Sequence, residues 1–215
     1  MAVNHQENTV AKEVLALDID DVTVRQVEGF VAWSNETWGT NLTANDYSEA
    51  WHELWGISPD EVEVRKKLYF TDEIIGKLEV IEGAAEGITA LAGLKRIVGV
   101  TSRRESLRPI TEQALELIAP GAVDNVIFAT YFHEGQKITR SKAEICQEIG
   151  ATHLIDDHLK HCLAVSKIGV RAVLFGDYAW NHSEDELPNS IVRAKDWPEV
   201  LAHFGLTLGN TSARE

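Results

Sequence analysis

Five short apolar runs, each followed by polar residues and separated from the next by a helical pattern, constrain the fold of this chain most. They occupy residues 14–17, 97–100, 126–128, 153–155 and 172–175. Near-continuous apolar strands between helices are typical of a parallel sheet covered by helices on both faces. The sequence therefore predicts an α/β fold whose ligands bind beyond the carboxyl ends of the strands.

The rest of the chain is organised around these runs. At 215 residues it has room for one α/β domain and a modest insertion. We expect a core of residues 11–24 and 82–205, a helical cap of residues 25–81 inserted after the first strand, and loose ends at 1–10 and 206–215. Ser141 and Glu144 have the spacing of a capping box, and the helix they open is expected to stop at Gly150. Ser58 and Glu61 predict another helix start, with Pro59 in its first turn.

Charge and cysteine content limit the possible partners. A formal net charge of −14 argues against binding to a nucleic acid polymer or an anionic membrane, which both require basic patches. A small phosphorylated substrate remains compatible, since a metal ion can reverse the sign of one pocket. The two cysteines, Cys146 and Cys162, lack metal-ligand spacing, and neither a signal peptide nor a long apolar run is present. We therefore expect a cytoplasmic protein.

The first candidate site residues follow the first apolar run. Asp18 and Asp20 are two residues apart where the chain leaves the strand, so both carboxylates can face one crevice. Oxygen ligands of this kind suit Mg²⁺, and one carboxylate can attack phosphorus while the other moves a proton. The alternative is an ordinary turn, in which aspartate is common.

Hydroxyl and amino groups follow further along the chain. Thr101 and Ser102 end the second run, where hydroxyls and free backbone N–H groups can hold phosphate oxygens, although a simple helix cap would use the same residues. Lys142 falls in the first turn of the helix that Ser141 opens, a position that disfavours a cation unless it faces an anion. Lys137, in the preceding loop, is the rival candidate for contacting phosphate.

A second acidic pair follows the fourth apolar run. Asp156 and Asp157 are adjacent at the end of a buried strand, where like charges repel and a cation is needed to compensate. A metal ligand with a supporting acid explains this pair better than two solvated loop residues do.

The order of these residues resembles the four motifs of the haloacid dehalogenase superfamily. The residues of four segments are most similar to those of its 5′(3′)-deoxyribonucleotidase-like group. These segments are 17–22, 81–84, 100–103 and 154–157. A response-regulator receiver would place the acid pair first and the lysine last. A dinucleotide-binding fold would need a glycine-rich turn after the first strand, and this chain has none.

The resemblance implies a Rossmann-like parallel sheet with an α-helical cap, and Mg²⁺ as cofactor. It further implies that Asp18 is the nucleophile, that Asp20 is the acid/base and a metal ligand through its carbonyl, and that Asp156 is a metal ligand supported by Asp157. Thr101, Ser102 and Lys142 would hold the phosphoryl group. Two residues depart from the usual pattern: Asp21 replaces a glycine, and Val22 replaces the threonine of many relatives.

The expected function is Mg²⁺-dependent hydrolysis of a small phosphate monoester through an aspartyl-phosphate, with nucleoside monophosphates as the leading substrates. The alternatives are a phosphosugar or other metabolite phosphatase, and a catalytically idle binding protein on the same fold. Six aromatic residues of the insertion bear on this choice, because they could stack a nucleobase or simply form the apolar core of the cap. They are Trp33, Trp38, Tyr47, Trp51, Trp55 and Phe70.

Overall fold

A single sheet of seven strands, in the order β4-β3-β2-β1-β5-β6-β7, organises the protein. The computed structural model describes residues 11–133 and 136–208, so most of the ends expected to be loose, 1–10 and 209–215, lies outside the described residues. The strands are β1 (Val14–Leu17), β2 (Arg96–Arg104), β3 (Val123–His133), β4 (Gln136–Thr139), β5 (Ala151–Asp156), β6 (Arg171–Phe175) and β7 (Ile191–Ala194). All neighbours pair in parallel except β3 and β4, which pair antiparallel.

Helices cover both faces of the sheet. They are α1 (Gln26–Trp38), α2 (Trp51–Trp55), α3 (Pro59–Tyr69), α4 (Asp72–Ile75), α5 (Ala84–Leu94), α6 (Arg108–Ile118), α7 (Lys142–Glu148), α8 (Leu159–Ser166) and α9 (Trp197–His203). Successive residues of β1 point to opposite faces, as strand geometry requires. Leu15 and Leu17 pack with Trp197 of α9, whereas Ala16 packs on the other face with Cys146 and Cys162. The predicted parallel α/β sheet is confirmed.

The structure contains more strand than the apolar runs predict. The third run covers only the middle of β3, and the edge strands β4 and β7 were not predicted at all. β4 is polar and largely exposed, and β7 has four residues. Short or polar strands at the edges of a sheet lack the apolar pattern of buried strands, because a neighbour covers them on one side only.

Residues 25–81, here called the cap segment, hold α1 to α4 and have an apolar cluster of their own. Its buried members are Phe30, Trp51, Val62, Tyr69 and Ile75, joined by Leu107 from outside the segment. Trp51 stacks on Phe30 with ring centroids 4.4 Å apart. Most of the aromatic residues therefore pack against one another inside the cap segment.

Local signals at helix ends agree with the sequence. Ser141 and Glu144 form the expected capping box, and Gly150 follows α7 with a left-handed φ of 64°. Ser58 accepts the Glu61 N–H at 3.2 Å at the start of α3. Among the described residues, every helix is too short or too polar to cross a lipid bilayer.

Candidate active site

The strand order brings the predicted site residues to one edge of the sheet. β1 lies between β2 and β5, so Asp18 directly after β1, Thr101 within β2 and Asp156 at the end of β5 lie at one edge of the sheet. All three side chains are buried. The Asp18 N–H donates to the Ile155 carbonyl at 3.0 Å, which fixes the chain as it leaves β1.

Lys142 lies between two of these carboxylates. Its Nζ is 2.6 Å from Asp18 Oδ2 and 2.6 Å from Asp156 Oδ2, and its side chain is 3% exposed. Burial alone would lower the pKa of Lys142, but Asp156 and Asp18 raise it above its ordinary value. The ammonium therefore stays charged. Lys137 lies on β4, exposed and away from these carboxylates.

The acids outnumber the cations at this edge. Oxygens of Asp18, Asp156 and Asp157 lie within 4.8 Å of one another, and all three residues are buried. Burial raises the pKa of Asp18; the charge of Lys142 lowers this pKa and the charge of Asp156 raises it further. Burial and the charge of Asp156 raise the pKa of Asp157 well above its ordinary value. One lysine does not neutralise three buried carboxylates, so a divalent cation with oxygen ligands fits this donor set.

Asp20 is held by Arg103, a residue for which the sequence analysis predicted no role. Arg103 donates to both carboxylate oxygens, with Nε 3.1 Å from Oδ1 and 3.0 Å from Oδ2, and Nη2 2.7 Å from Oδ1. A further bond from Arg103 Nη1 to Thr111 Oγ1, at 3.0 Å, holds the guanidinium in place. The Asp20 carbonyl accepts no hydrogen bond within the described part of the chain. Arg103 thus orients the Asp20 carboxylate, and the Asp20 carbonyl remains open to a metal.

Asp21 explains one departure from the family pattern. It has a φ of 55°, in the left-handed region that favours glycine, and it is the one non-glycine residue with positive φ among those described. Two contacts hold it there: its Oδ1 accepts the Val27 N–H at 3.1 Å, and its carbonyl accepts the Tyr178 hydroxyl at 2.9 Å. The turn therefore keeps the backbone of a glycine, and the aspartate ties it to the start of α1.

Asp157 has a partner that the sequence did not indicate. Trp180, in the loop between β6 and β7, donates its Nε1–H to Asp157 Oδ2 at 2.6 Å. Its indole stacks on Tyr178 with centroids 4.5 Å apart and planes 5° apart. It also meets Tyr47 of the cap segment edge-on at 5.7 Å. One loop thus supports both Asp21 and Asp157, and it contacts the cap segment.

A cleft of about 140 Å³ opens above these residues. Asp18, Asp20, Asp157, Lys142 and Ser102 line it, whereas Thr101 and Asp156 lie beneath its surface. Thr101 Oγ1 accepts the Arg103 N–H at 3.0 Å.

The outer wall of the cleft comes partly from the cap segment. Tyr47, Glu49 and Phe70 face the opening, but Trp33 and Trp38 do not line it. Burial lowers the pKa of His161, another wall residue, to about 3, so its imidazole is neutral. Any stacking of a substrate ring in this cleft would therefore involve Tyr47 or Phe70.

Comparison with known proteins identifies the family. Residues 12–204 match the model of the 5′ nucleotidase, deoxy (pyrimidine), cytosolic type C family. The chain belongs to this family. No curated protein matches the sequence.

Solved structures share the fold at low identity. A haloacid dehalogenase-like hydrolase from Streptococcus pneumoniae superposes with a TM-score of 0.63 at 13% identity, covering 90% of this chain and 98% of that one. A predicted phosphoglycolate phosphatase from Haemophilus somnus gives 0.63 at 14% identity, covering 91% and 99%. The magnesium-bound hydrolase YfnB from Bacillus subtilis gives 0.58 at 14% identity, covering 92% and 100%.

Membership of this nucleotidase family makes the protein a haloacid dehalogenase-type phosphoric monoester hydrolase. The resemblance drawn from the four motifs is thereby confirmed at the level of superfamily and group.

Proposed function

We propose that the protein hydrolyses a small phosphate monoester, with a nucleoside monophosphate as the leading substrate, through a covalent aspartyl-phosphate on Asp18. The observation that carries this proposal is the contact of Lys142 with both Asp18 and Asp156, at the floor of a cleft that Asp20 also lines. A buried carboxylate oriented by a lysine, with a second carboxylate nearby, provides a nucleophile and a proton-transfer group.

The proposed reaction gives each of the cleft side chains a distinct role. Asp18 attacks phosphorus and forms the acyl-phosphate bond while the bond to the leaving oxygen breaks, and Asp20 donates a proton to that oxygen. Water then attacks phosphorus, Asp20 takes its proton, and the bond to Asp18 breaks to release inorganic phosphate. Arg103 stabilises the ionised Asp20 that remains after the first transfer. Lys142 and the hydroxyls of Ser102 and Thr101 stabilise the charge on the phosphoryl oxygens.

Mg²⁺ is the proposed cofactor. The Asp18 carboxylate, the Asp20 carbonyl and the Asp156 carboxylate would hold it, with Asp157 and its Trp180 hydrogen bond in support. When bound, the ion supplies positive charge that polarises the phosphoryl group.

The family supports a nucleotide substrate, and the cleft supports a small one. We propose that residues 11–24 and 82–205 form the core domain and that residues 25–81 form the cap. The substrate binds between the two. The alternative is a phosphosugar or other metabolite phosphatase. The two free, buried cysteines and the net charge of −14 support a cytoplasmic protein with a small-molecule partner rather than a nucleic acid or a membrane.

Replacing the nucleophile tests the proposed reaction. Asp18→Asn should abolish Mg²⁺-dependent hydrolysis of an aryl phosphate while urea unfolding stays cooperative. Asp185→Asn, at an exposed loop acid, is the matched control and should retain full activity. Full activity in the Asp18 variant would refute the nucleophile assignment.

A binding measurement tests the nucleotide substrate. In Asp18→Asn, a nucleoside monophosphate should bind roughly tenfold or more tightly than ribose 5-phosphate, because the base adds about 1–3 kcal/mol of stacking. Tyr47→Ala should reduce that difference. Equal binding of the two ligands would favour a metabolite phosphatase.

A further inference from the structure

Beyond Ser102, the catalytic cleft meets a larger groove of opposite charge. This groove has a volume of about 560 Å³ and lies between α3 and the β3–β4 hairpin; Ser102 lines both spaces. We call it the hairpin groove. Around the cleft, the acids Asp18, Asp20 and Asp157 outnumber the cations Lys142 and Arg103, while Glu49 of its wall is paired with Lys160. Around the hairpin groove, Lys66, Arg104 and Lys137 contribute three cationic side chains.

The positive charge of the hairpin groove is only partly neutralised. Lys66 and Arg104 share one carboxylate, that of Glu63, at 3.4 Å and 2.9 Å. Glu105 also lines the groove, but it pairs with Arg108, which lies outside it. Lys137 makes no ion pair within the described part of the chain, so its ammonium is available to a ligand. A basic groove in a chain of net charge −14 is a local reversal of sign.

Neutral groups in the groove complete a surface for a phosphorylated organic molecule. The hydroxyls of Ser106 and Thr130 line it beside the cations. Phe132 is 68% exposed and pairs across the hairpin with Lys137, so the two side chains lie on the same face of the sheet. An exposed ring beside an ammonium that has no ion pair within the described residues can contact a base or a sugar while the ammonium contacts an anion.

We propose that the hairpin groove binds a second phosphate of the substrate. Among nucleotides, a nucleoside 3′,5′-bisphosphate would then be bound in preference to the 5′-monophosphate. One phosphate lies at Asp18 and Lys142, and the other lies past Ser102 against Lys137 and Arg104. The inference rests on the proposed function and specifies its substrate class, since Ser102 lines both spaces and the three cations lie beyond it in the hairpin groove.

Steady-state kinetics on a matched pair of substrates test the proposal. Thymidine 5′-monophosphate and thymidine 3′,5′-bisphosphate are compared with Mg²⁺ in the unmodified protein, in Lys137→Gln and in Lys67→Gln. Lys67 is an exposed lysine of α3 outside the groove and serves as the control. Lys137→Gln should raise KM for the bisphosphate about tenfold, as for loss of a charge-assisted hydrogen bond, and leave KM for the monophosphate within about twofold. Lys67→Gln should change neither.

Calorimetric binding of the same two nucleotides to Asp18→Asn separates the two proposals. Tighter binding of the bisphosphate, lost in the Asp18→Asn, Lys137→Gln double variant, supports the hairpin groove whether or not turnover is seen. Equal binding of the pair, or equal effects of the Lys137 and Lys67 changes, overturns the groove and leaves the phosphatase proposal intact. Absence of turnover with every phosphate ester overturns the proposed function instead.

Discussion

Replacing Lys142 by methionine removes the ammonium that lies between Asp18 and Asp156. The two carboxylates are 6% and 0% exposed, and each is 2.6 Å from Nζ. Methionine has nearly the same length but no charge, so packing is largely conserved while the ion pairs disappear. Removing one partner of a buried ion pair costs about 3–5 kcal/mol, because the remaining charge has no compensation. We expect a loss in this range for the metal-free protein.

Mg²⁺ should restore part of that loss. A divalent cation held by Asp18 and Asp156 would compensate the carboxylates that Lys142 no longer faces. Urea unfolding of Lys142→Met in EDTA and in excess Mg²⁺ measures this difference. Turnover of an aryl phosphate should fall by about 10² or more even with Mg²⁺, since a group that stabilises the phosphoryl charge is lost.

Lys137→Met provides the comparison. Lys137 is exposed on β4, so its replacement should change the unfolding free energy by less than about 0.5 kcal/mol and leave aryl phosphate turnover unchanged. Equal stability losses in the two variants would refute the electrostatic reasoning. A larger loss of activity in Lys137→Met would transfer the role of phosphate lysine to that residue.

Three further predictions concern the acids around the site. Trp180→Phe keeps a ring against Tyr178 but removes the hydrogen-bond donor to Asp157. Calorimetry should therefore show an Mg²⁺ affinity about tenfold lower in this variant, whereas Trp38→Phe should leave the Mg²⁺ affinity unchanged. Asp21→Ala should be less stable than Asp21→Gly by about 1–2 kcal/mol in urea, because only glycine adopts a φ of 55° without strain; equal stabilities would contradict this. Burial raises the pKa values of Asp18, Asp21 and Asp157 above 3.8, so the folded state retains protons that the unfolded state releases. In EDTA, the unmodified protein should therefore lose stability relative to the Asp157→Asn variant as pH rises from 3.8 through the raised values, and a constant difference over that window would contradict the shifts.

Much of the sheet could be predicted from the sequence, because buried parallel strands have a strong apolar signal. The same signal located Asp18, Thr101 and Asp156 at strand ends, and the capping box located Lys142. Strands β4 and β7 had no such signal, since β4 is polar and Arg193 interrupts the apolar residues of β7.

The contacts that support the site could not be predicted. Arg103 follows Thr101 and Ser102 directly, but nothing in its spacing shows that it reaches Asp20, 83 positions earlier. Trp180 and Tyr178 lie in a loop without periodicity, and their bonds to Asp157 and Asp21 depend on how that loop folds back. For Asp21 a signal was present, namely an aspartate where relatives have glycine, but it did not show which contacts stabilise the left-handed turn.

The contact between Arg103 and Asp20 determines the direction from which a proton can be transferred. The single Nε–H of Arg103 is shared between both carboxylate oxygens of Asp20, and an Nη2–H points at Oδ1, so the guanidinium covers one edge of the carboxylate. The Oδ2 side that faces away from Arg103 is the site left for a substrate or a water. Because Arg103 is itself fixed by Thr111, this site cannot rotate away without breaking the whole set of hydrogen bonds. In the proposed reaction, the leaving oxygen and the hydrolytic water would therefore approach Asp20 from the same side in turn.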